Sequence, residues 1–347
     1  MRTHLNTLFV TLEDAYLRKD GAAVEVRHEG QTKLRVPLHN LDGIVVFGWD
    51  SVASASLLAG CAEADVAITF LSPHGKFLAT SRGYTPGNII LRRDQYRLAD
   101  KENACVEIAT NMIAAKLSNC RQVLLRTARD DGDKNPNRSA PLLSSSDAIA
   151  SRIPNLSRAT NLDSIRGIEG DGATFYFSAF PHLITPQQQD KFPMKGRSRR
   201  PPLDPVNALL SFLYVLLMHD CRSALESCGL DPQCGFLHRD RAGRPSLALD
   251  LMEEFRPTLA DRAALALINR QQITPKDFEK LETGAYNLKE DSRKKVLVHW
   301  QERKQKEIFH PSLEERITAG LLPHIQARLL ARCVRGDLDN YPAYLTK

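Results

Sequence analysis

Ala104-Cys105-Val106-Glu107-Ile108-Ala109-Thr110-Asn111-Met112-Ile113-Ala114-Ala115-Lys116-Leu117 sets Ala104, Ile108, Met112, Ile113 and Leu117 at helical spacing. From here the chain reads as helical nearly to its end. Upstream of Arg92-Arg93 the texture is different, with short apolar runs broken by turns: Leu8 to Leu12, Ala15 to Arg18, Ala23 to Val26, Leu34 to Pro37 and Gly43 to Phe47. The Lys19-Asp20-Gly21 step predicts a hairpin. Ser51 is placed to cap a short helix running to about Ala64, and Val66 to Leu71 and Lys76 to Ala79 read as strands around the turn Ser72-Pro73-His74-Gly75. The expected fold is therefore α+β with two domains. A small β-rich N-terminal domain, residues 1–92, precedes a larger all-α domain, residues 93–347, the boundary falling near residues 90–97. Residues 128–139 read as a turn-rich link between helices. Residues 185–205 hold too many Pro, Lys and Arg for one continuous helix.

The 347 residues carry 47 Lys and Arg against 41 Asp and Glu, a net charge of +6. Residues 1–93 hold 10 basic and 9 acidic residues, so nearly all the surplus lies downstream. Such a balance permits a polyanionic partner without demanding one. Seven cysteines with no Cys-x-x-Cys pair argue against a disulfide framework or zinc ribbon and point to the cytoplasm. The first residues lack the pattern of a signal peptide. The most apolar stretch, Ala208 to Met218, is shorter than the roughly 20 residues of a membrane span. It reads as a core helix.

Three groups of residues bear on chemistry. Glu169 shares a helical face with Ala173, Tyr176, Phe177 and Phe180, so a carboxylate is set on the stripe that packs inward and needs a partner there. Asp250 and Glu253 are three apart on another predicted helix that ends before Pro257, with Glu254 one position round. His238 follows in a turn region after Gly229 and Asp231-Pro232. A histidine with carboxylates suits Mg²⁺ or Mn²⁺ better than zinc. The competing reading is an amphipathic helix with solvated acids. Lys191, Lys195, Arg197, Arg199 and Arg200 form a basic loop fitted either to phosphate contact or to plain solvation. The basic run from Arg293 to Lys306 contains enough acids to read as a mixed solvated helix. Neither a dinucleotide fingerprint, a Walker loop nor a Gly-x-Ser-x-Gly elbow is present. The residues together favour a metal-dependent reaction on phosphodiesters.

Arg166-Gly167-Ile168-Glu169-Gly170, the run Arg199-Arg200-Pro201-Pro202-Leu203-Asp204-Pro205-Val206-Asn207, Gly235-Phe236-Leu237-His238, and Ser246-Leu247-Ala248-Leu249-Asp250-Leu251-Met252-Glu253 occur in this order. They resemble the family of CRISPR-associated protein one, the spacer-acquisition integrase and endonuclease, in the variant found with type I-C systems. The resemblance implies a dimerising β-rich domain, a helical catalytic domain that binds metal and DNA, and assembly with the small CRISPR-associated protein two. It also implies spacer donor and repeat-array DNA as partners, with a further adaptation nuclease. Carried over by position, it makes Glu169, His238 and Glu253 the catalytic metal-binding set and Asp250 a supporting acid. The activity it implies is attack of a donor 3′-hydroxyl on a repeat phosphodiester, with Mg²⁺ or Mn²⁺ as cofactor. Two other functions compete: a stand-alone metal-dependent nuclease for branched or damaged DNA, and a non-catalytic DNA-binding scaffold.

Overall fold

The computed structural model describes residues 7–41, 43–73, 77–83, 89–131 and 135–346. In order these form β1 (Thr7–Val10), β2 (Tyr16–Asp20), β3 (Ala23–His28), β4 (Gln31–Pro37), β5 (Gly43–Phe47), β6 (Val52–Ala53), α1 (Ala55–Glu63), β7 (Ala67–Leu71) and β8 (Phe77–Ser81). Helices α2 (Ile89–Ala99), α3 (Glu102–Asp131), α4 (Pro136–Ala150), α5 (Ile153–Leu156), α6 (Leu162–Ala179), α7 (Pro186–Gln189), α8 (Pro205–Ser227), α9 (Ser246–Met252) and α10 (Arg262–Asn269) follow. The chain continues through β9 (Phe278–Lys280), β10 (Tyr286–Leu288), α11 (Glu290–Lys304), β11 (Glu307–His310), β12 (Glu315–Thr318) and α12 (Leu322–Val334). Strand-rich then helical, as the periodicity predicts, the chain forms two compact units. One spans residues 1–86 with 288–304, the other residues 87–287 with 305–347.

In the first unit, β1, β5 and β7 pair in parallel and β8 closes the sheet antiparallel, while a second sheet runs β4-β3-β2-β6. Alternating residues from both sheets, among them Leu17, Val24, Ile44 and Ile68, meet Leu57 and Cys61 of α1 in one core. The hairpin keeps Lys19 and Asp20 within β2, pairs Asp20 with Ala23, and places Gly21 at φ +58°. Helix α1 is capped by Ser54, whose Oγ accepts from Leu57 N, and not by Ser51. Val52 and Ala53 pair with Tyr16 and Leu17, which commits that backbone to a strand before a helix can start. Helix α11 also belongs to this unit, with Gln301 donating to the Thr7 carbonyl. Its Arg293, Trp300 and Lys304 are buried, a departure from the solvated face expected there. His74, Gly75 and Lys76, part of the predicted turn and strand, lie outside the described residues.

Among the described residues the second unit is mainly helical, with two short two-stranded ribbons, β9 with β10 and β11 with β12. Helix α3 runs through Ala128 to Asp131, and α4 opens with Pro136 in its first turn, so the predicted link is shorter than residues 128–139. The 185–205 segment holds only the single turn α7 before Asp204 caps α8 by accepting from Asn207 N at 2.8 Å. Helix α8 has the length and apolarity of a membrane span, but its Leu209, Leu210, Leu213 and Leu217 are wholly buried in the fold. All seven cysteines are free thiols.

Candidate active site

The site is assembled from four chain segments of the second unit. Helix α6 is capped by Asn161, whose Oδ1 accepts from Ser164 N at 2.8 Å, and it carries Glu169. Gly172, one turn further on, lets α6 lie against α3: a Cβ there would stand 2.2 Å from Leu117 Cδ2. That close approach brings Glu169 to Lys116, the residue before Leu117. Lys116 is buried, and its ammonium contacts Glu169 Oε1 and lies 2.6 Å from Glu253 Oε2. One cation thus bridges two carboxylates delivered by helices far apart in sequence. Burial pulls the Lys116 pKa down, but Glu253 and Glu169 outweigh it and hold it above its ordinary value.

The histidine comes from a loop folded onto α9. Gly235 has no room for a side chain, since a Cβ would meet Asp250 Oδ2 at 2.7 Å and Ser246 Cβ at 2.8 Å. The loop therefore comes close enough for Asp250, wholly buried, to accept three backbone amides: Phe236 N at 2.7 Å, Leu237 N at 2.9 Å and His238 N at 3.0 Å. Asp250 Oδ1 also lies 2.5 Å from His238 Nδ1. A carboxylate on Nδ1 fixes the ring and leaves Nε2 as the nitrogen available to a ligand. From the other side, Arg166 of α6 donates through Nε to the Leu237 carbonyl at 3.0 Å. The helix that carries Glu169 therefore also holds the loop that carries His238.

Glu253 follows α9 directly and is buried. Arg256 Nη1 donates to its Oε1 at 2.6 Å. Burial pushes the Glu253 carboxyl up, yet Arg256 and Lys116, with His238, reverse this and hold it at about 2. Arg256 in turn lies over the Tyr214 ring, 5.1 Å from its centroid, and Arg197 lies over the same ring at 5.2 Å. The Tyr214 hydroxyl donates to Asp261 Oδ1 at 2.7 Å and Tyr176 to Oδ2 at 3.1 Å. Glu254 points elsewhere, accepting from Tyr344 N at 2.6 Å and from Gln326 and Tyr341.

Glu169, His238, Asp250 and Glu253, singled out from sequence, thus lie in one neighbourhood, Asp250 as the residue that holds the histidine. Of the basic loop, Lys191, Lys195, Arg199 and Arg200 are exposed. Arg197 is turned inward, donating to Asn207 Oδ1 at 2.7 Å and Ser211 Oγ at 3.2 Å. Sequence reasoning passed over Lys116 and Arg256. Lys116 had a readable signal: it is a lone charge beside Met112, Ile113 and Leu117, the same kind of anomaly that marks Glu169.

Comparison with known proteins decides the family. The profile of CRISPR associated protein Cas1 matches residues 8–302. The CRISPR-associated endonuclease Cas1 1 of Chlorobaculum tepidum is 50% identical over 345 residues, 99% of each chain. The chain belongs to the Cas1 family. Among solved structures, a casposase bound to integration product superposes with TM-score 0.82 at 22% identity, covering 98% of this chain and 93% of that one. A Cas6-RT-Cas1–Cas2 complex superposes with TM-score 0.80 at 22% identity, covering 99% of this chain and 36% of that one. At those identities the two structures speak for the Cas1 fold.

A Cas1-family site with two carboxylates and an imidazole suits a hard divalent cation, and one buried atom tests the fit. Glu253 Oε2 is buried and ion-paired with Lys116 Nζ at 2.6 Å. A carboxylate oxygen already seated against one cation is a fitting ligand for a hard divalent one. Among the described residues no three His, Cys, Asp or Glu side chains form a ready-made metal cage. An ammonium holds the position between the carboxylates instead. The residues fit a cation seat, and here the protein's own cation fills it.

Proposed function

We propose that this Cas1-family protein is a CRISPR adaptation integrase that acts on DNA phosphodiesters with Mg²⁺ or Mn²⁺ held by Glu169, Glu253 and His238 Nε2. The observation that carries the reading is the convergence of Glu169 and Glu253 on one cation, beside a histidine whose Nδ1 is already engaged by Asp250. Identity of 50% to a protein named as an endonuclease supports the reading, as does the fold shared with a casposase bound to integration product.

When bound, the cation supplies charge neutralisation at the scissile phosphate. Glu169 and Glu253 orient it, and Asp250 keeps His238 in the tautomer that presents Nε2. Arg256 and Lys116 keep Glu253 ionised across the ordinary pH range. Lys116, once displaced, carries its charge to the edge of the site, where a phosphate oxygen is its natural partner. The nucleophile is the 3′-hydroxyl of a captured DNA end and the leaving group a 3′-oxygen of the repeat strand. The exposed Lys191, Lys195, Arg199 and Arg200 take DNA phosphates. The β-rich unit forms a homodimer, and the name of the Cas1–Cas2 complex supports Cas2 as partner.

The deciding experiment incubates the protein and its Cas2 partner with a repeat-bearing plasmid and donors ending in 3′-OH or 3′-deoxy. Product from the 3′-OH donor alone is expected, and it should be lost with E169Q, H238A or E253Q. Equal product from the deoxy donor leaves only nuclease chemistry, and unchanged product from the three variants leaves only a scaffold.

A further inference from the structure

Further along α3 lies a cavity of about 370 Å³ that the proposed chemistry does not use. Two helical stripes face it: Gln122, Arg126, Arg129 and Asp130 on α3, and Arg262 and Ala266 on α10 with Arg270 capping its end, the latter three spaced four apart. Four arginines therefore share the rim with one acid. Among the described residues Asp130 pairs with none of them, and the guanidinium groups of Arg126, Arg262 and Arg270 make no hydrogen bond or ion pair. Arg129 has only the carbonyl of Leu125, at 3.3 Å. The floor is buried: Val123, Leu183, Thr258 and Leu265.

Four arginines facing a single acid over a buried floor leave a net positive charge, and an anion relieves their mutual repulsion. Burial first and the charge of Arg126 second lower the pKa of Arg262, against a smaller opposing effect of Asp130. Guanidinium groups contributed by two helices, that of Arg262 half-buried and that of Arg126 exposed, suit the oxygens of a phosphate, and a cavity of this size accepts more than a lone ion. Position adds the rest. Arg126 lies ten residues from Lys116 on one continuous helix, roughly 15 Å, and a duplex strand advances about 3.4 Å per nucleotide.

We infer that Arg126 and Arg262 form a phosphate-binding pocket that grips the DNA backbone about four nucleotides from the reacting phosphodiester. The pocket is separate from the carboxylate site and from the 191–200 loop. It rests on the reading of DNA as substrate and adds where a strand is held, independently of chemistry.

Binding is measured on the full-length protein in EDTA, with a labelled repeat duplex carrying single methylphosphonates one to eight nucleotides from the reacting phosphate. Wild type is expected to lose roughly tenfold affinity at one or two adjacent positions. R126Q/R262Q should bind at least tenfold more weakly, with a salt slope smaller by about two, and be indifferent to the methylphosphonate. R126K/R262K, which keeps the charges, should restore most of the affinity and shows that the fold survives. A wild-type slope and wild-type position sensitivity in R126Q/R262Q overturn the pocket. Inorganic phosphate and ATP form a second arm. If either protects wild type but not R126Q/R262Q from thermal unfolding at submillimolar concentration, while DNA binding is equal in both, the pocket serves a small phosphate ligand and the DNA assignment falls. If wild type binds no DNA at all, the functional reading fails instead.

Discussion

Lys116 Nζ lies 2.6 Å from Glu253 Oε2, the ammonium of one helix seated against the carboxylate that follows another. The same ammonium contacts Glu169, and Arg256 adds a second positive charge at Glu253, so two cations balance the two carboxylates. A divalent cation held by Glu169 and Glu253 would compete with Lys116 for the same oxygens. K116Q should therefore be less stable than wild type without metal, by about 2–4 kcal/mol, since it strands a buried carboxylate. Mn²⁺ should then raise the melting temperature of K116Q more than that of wild type. Equal shifts in the two proteins would mean that Lys116 does not compete for the seat.

Removing Asp250 unties the histidine loop. D250A leaves three backbone amides and His238 Nδ1 without their acceptor, and buried unpaired donors cost about 1–3 kcal/mol each. A loss of at least roughly 3 kcal/mol in denaturant unfolding is expected. Wild type is expected to show a downfield NMR signal from a His238 Nδ1 proton bonded to Asp250, and D250A to lack it. Retention of that proton in D250A would show that another group holds the ring.

The glycines of α6 should separate by position. At Gly172 an added methyl collides with Leu117, so G172A should cost about 1–3 kcal/mol. At Gly170 nothing lies within 4 Å, and G170A should stabilise by up to about 1 kcal/mol through helix propensity. L117A combined with G172A should recover part of the loss. Equal effects at both glycines would contradict the close packing of α6 on α3.

Asp261 links the site to pH. Burial pushes its carboxyl up to about 6, against hydrogen bonds from Tyr214 and Tyr176. A carboxyl raised from its ordinary 3.8 holds a proton in the fold that it loses in the unfolded chain. Stability from this group is full below pH 3.8 and declines as pH rises towards 6, by up to about 3 kcal/mol. Subtracting the melting profile of D261N from that of wild type should expose this slope. A difference that is flat between pH 4 and 6, or that rises, would refute the assignment.

The change of period near Arg92 separated strands from helices, and a carboxylate on an inward stripe marked Glu169. Both are local signals. Pairings over long stretches of chain are not legible in this way. The parallel alignment of β1 with β5 and β7, the return of α11 to the strand-rich unit and the meeting of Lys116 with Glu169 each depend on packing between distant segments. His238 illustrates the middle case. Its loop was readable as a loop, but its attachment to Asp250 depends on Gly235 admitting the backbone within reach of a carboxylate. Ser51 failed as a cap because strand pairing took the residues after it, a tertiary demand overriding local propensity.

Asn119, one turn beyond Lys116, donates to the carbonyls of Glu254 and Tyr344 at 2.9 Å and accepts from Thr346 N at 2.8 Å. Buried Glu254, next to Glu253, finds its donors in the same late stretch, residues 326–344. Residues 341–346 thus complete the polar back wall behind the carboxylate site. A chain lacking residues 341–346 would hold all four site residues yet leave the Asn119 amide and the Glu254 carboxylate short of partners behind them, so a segment that touches none of the site carboxylates sets how firmly they are held.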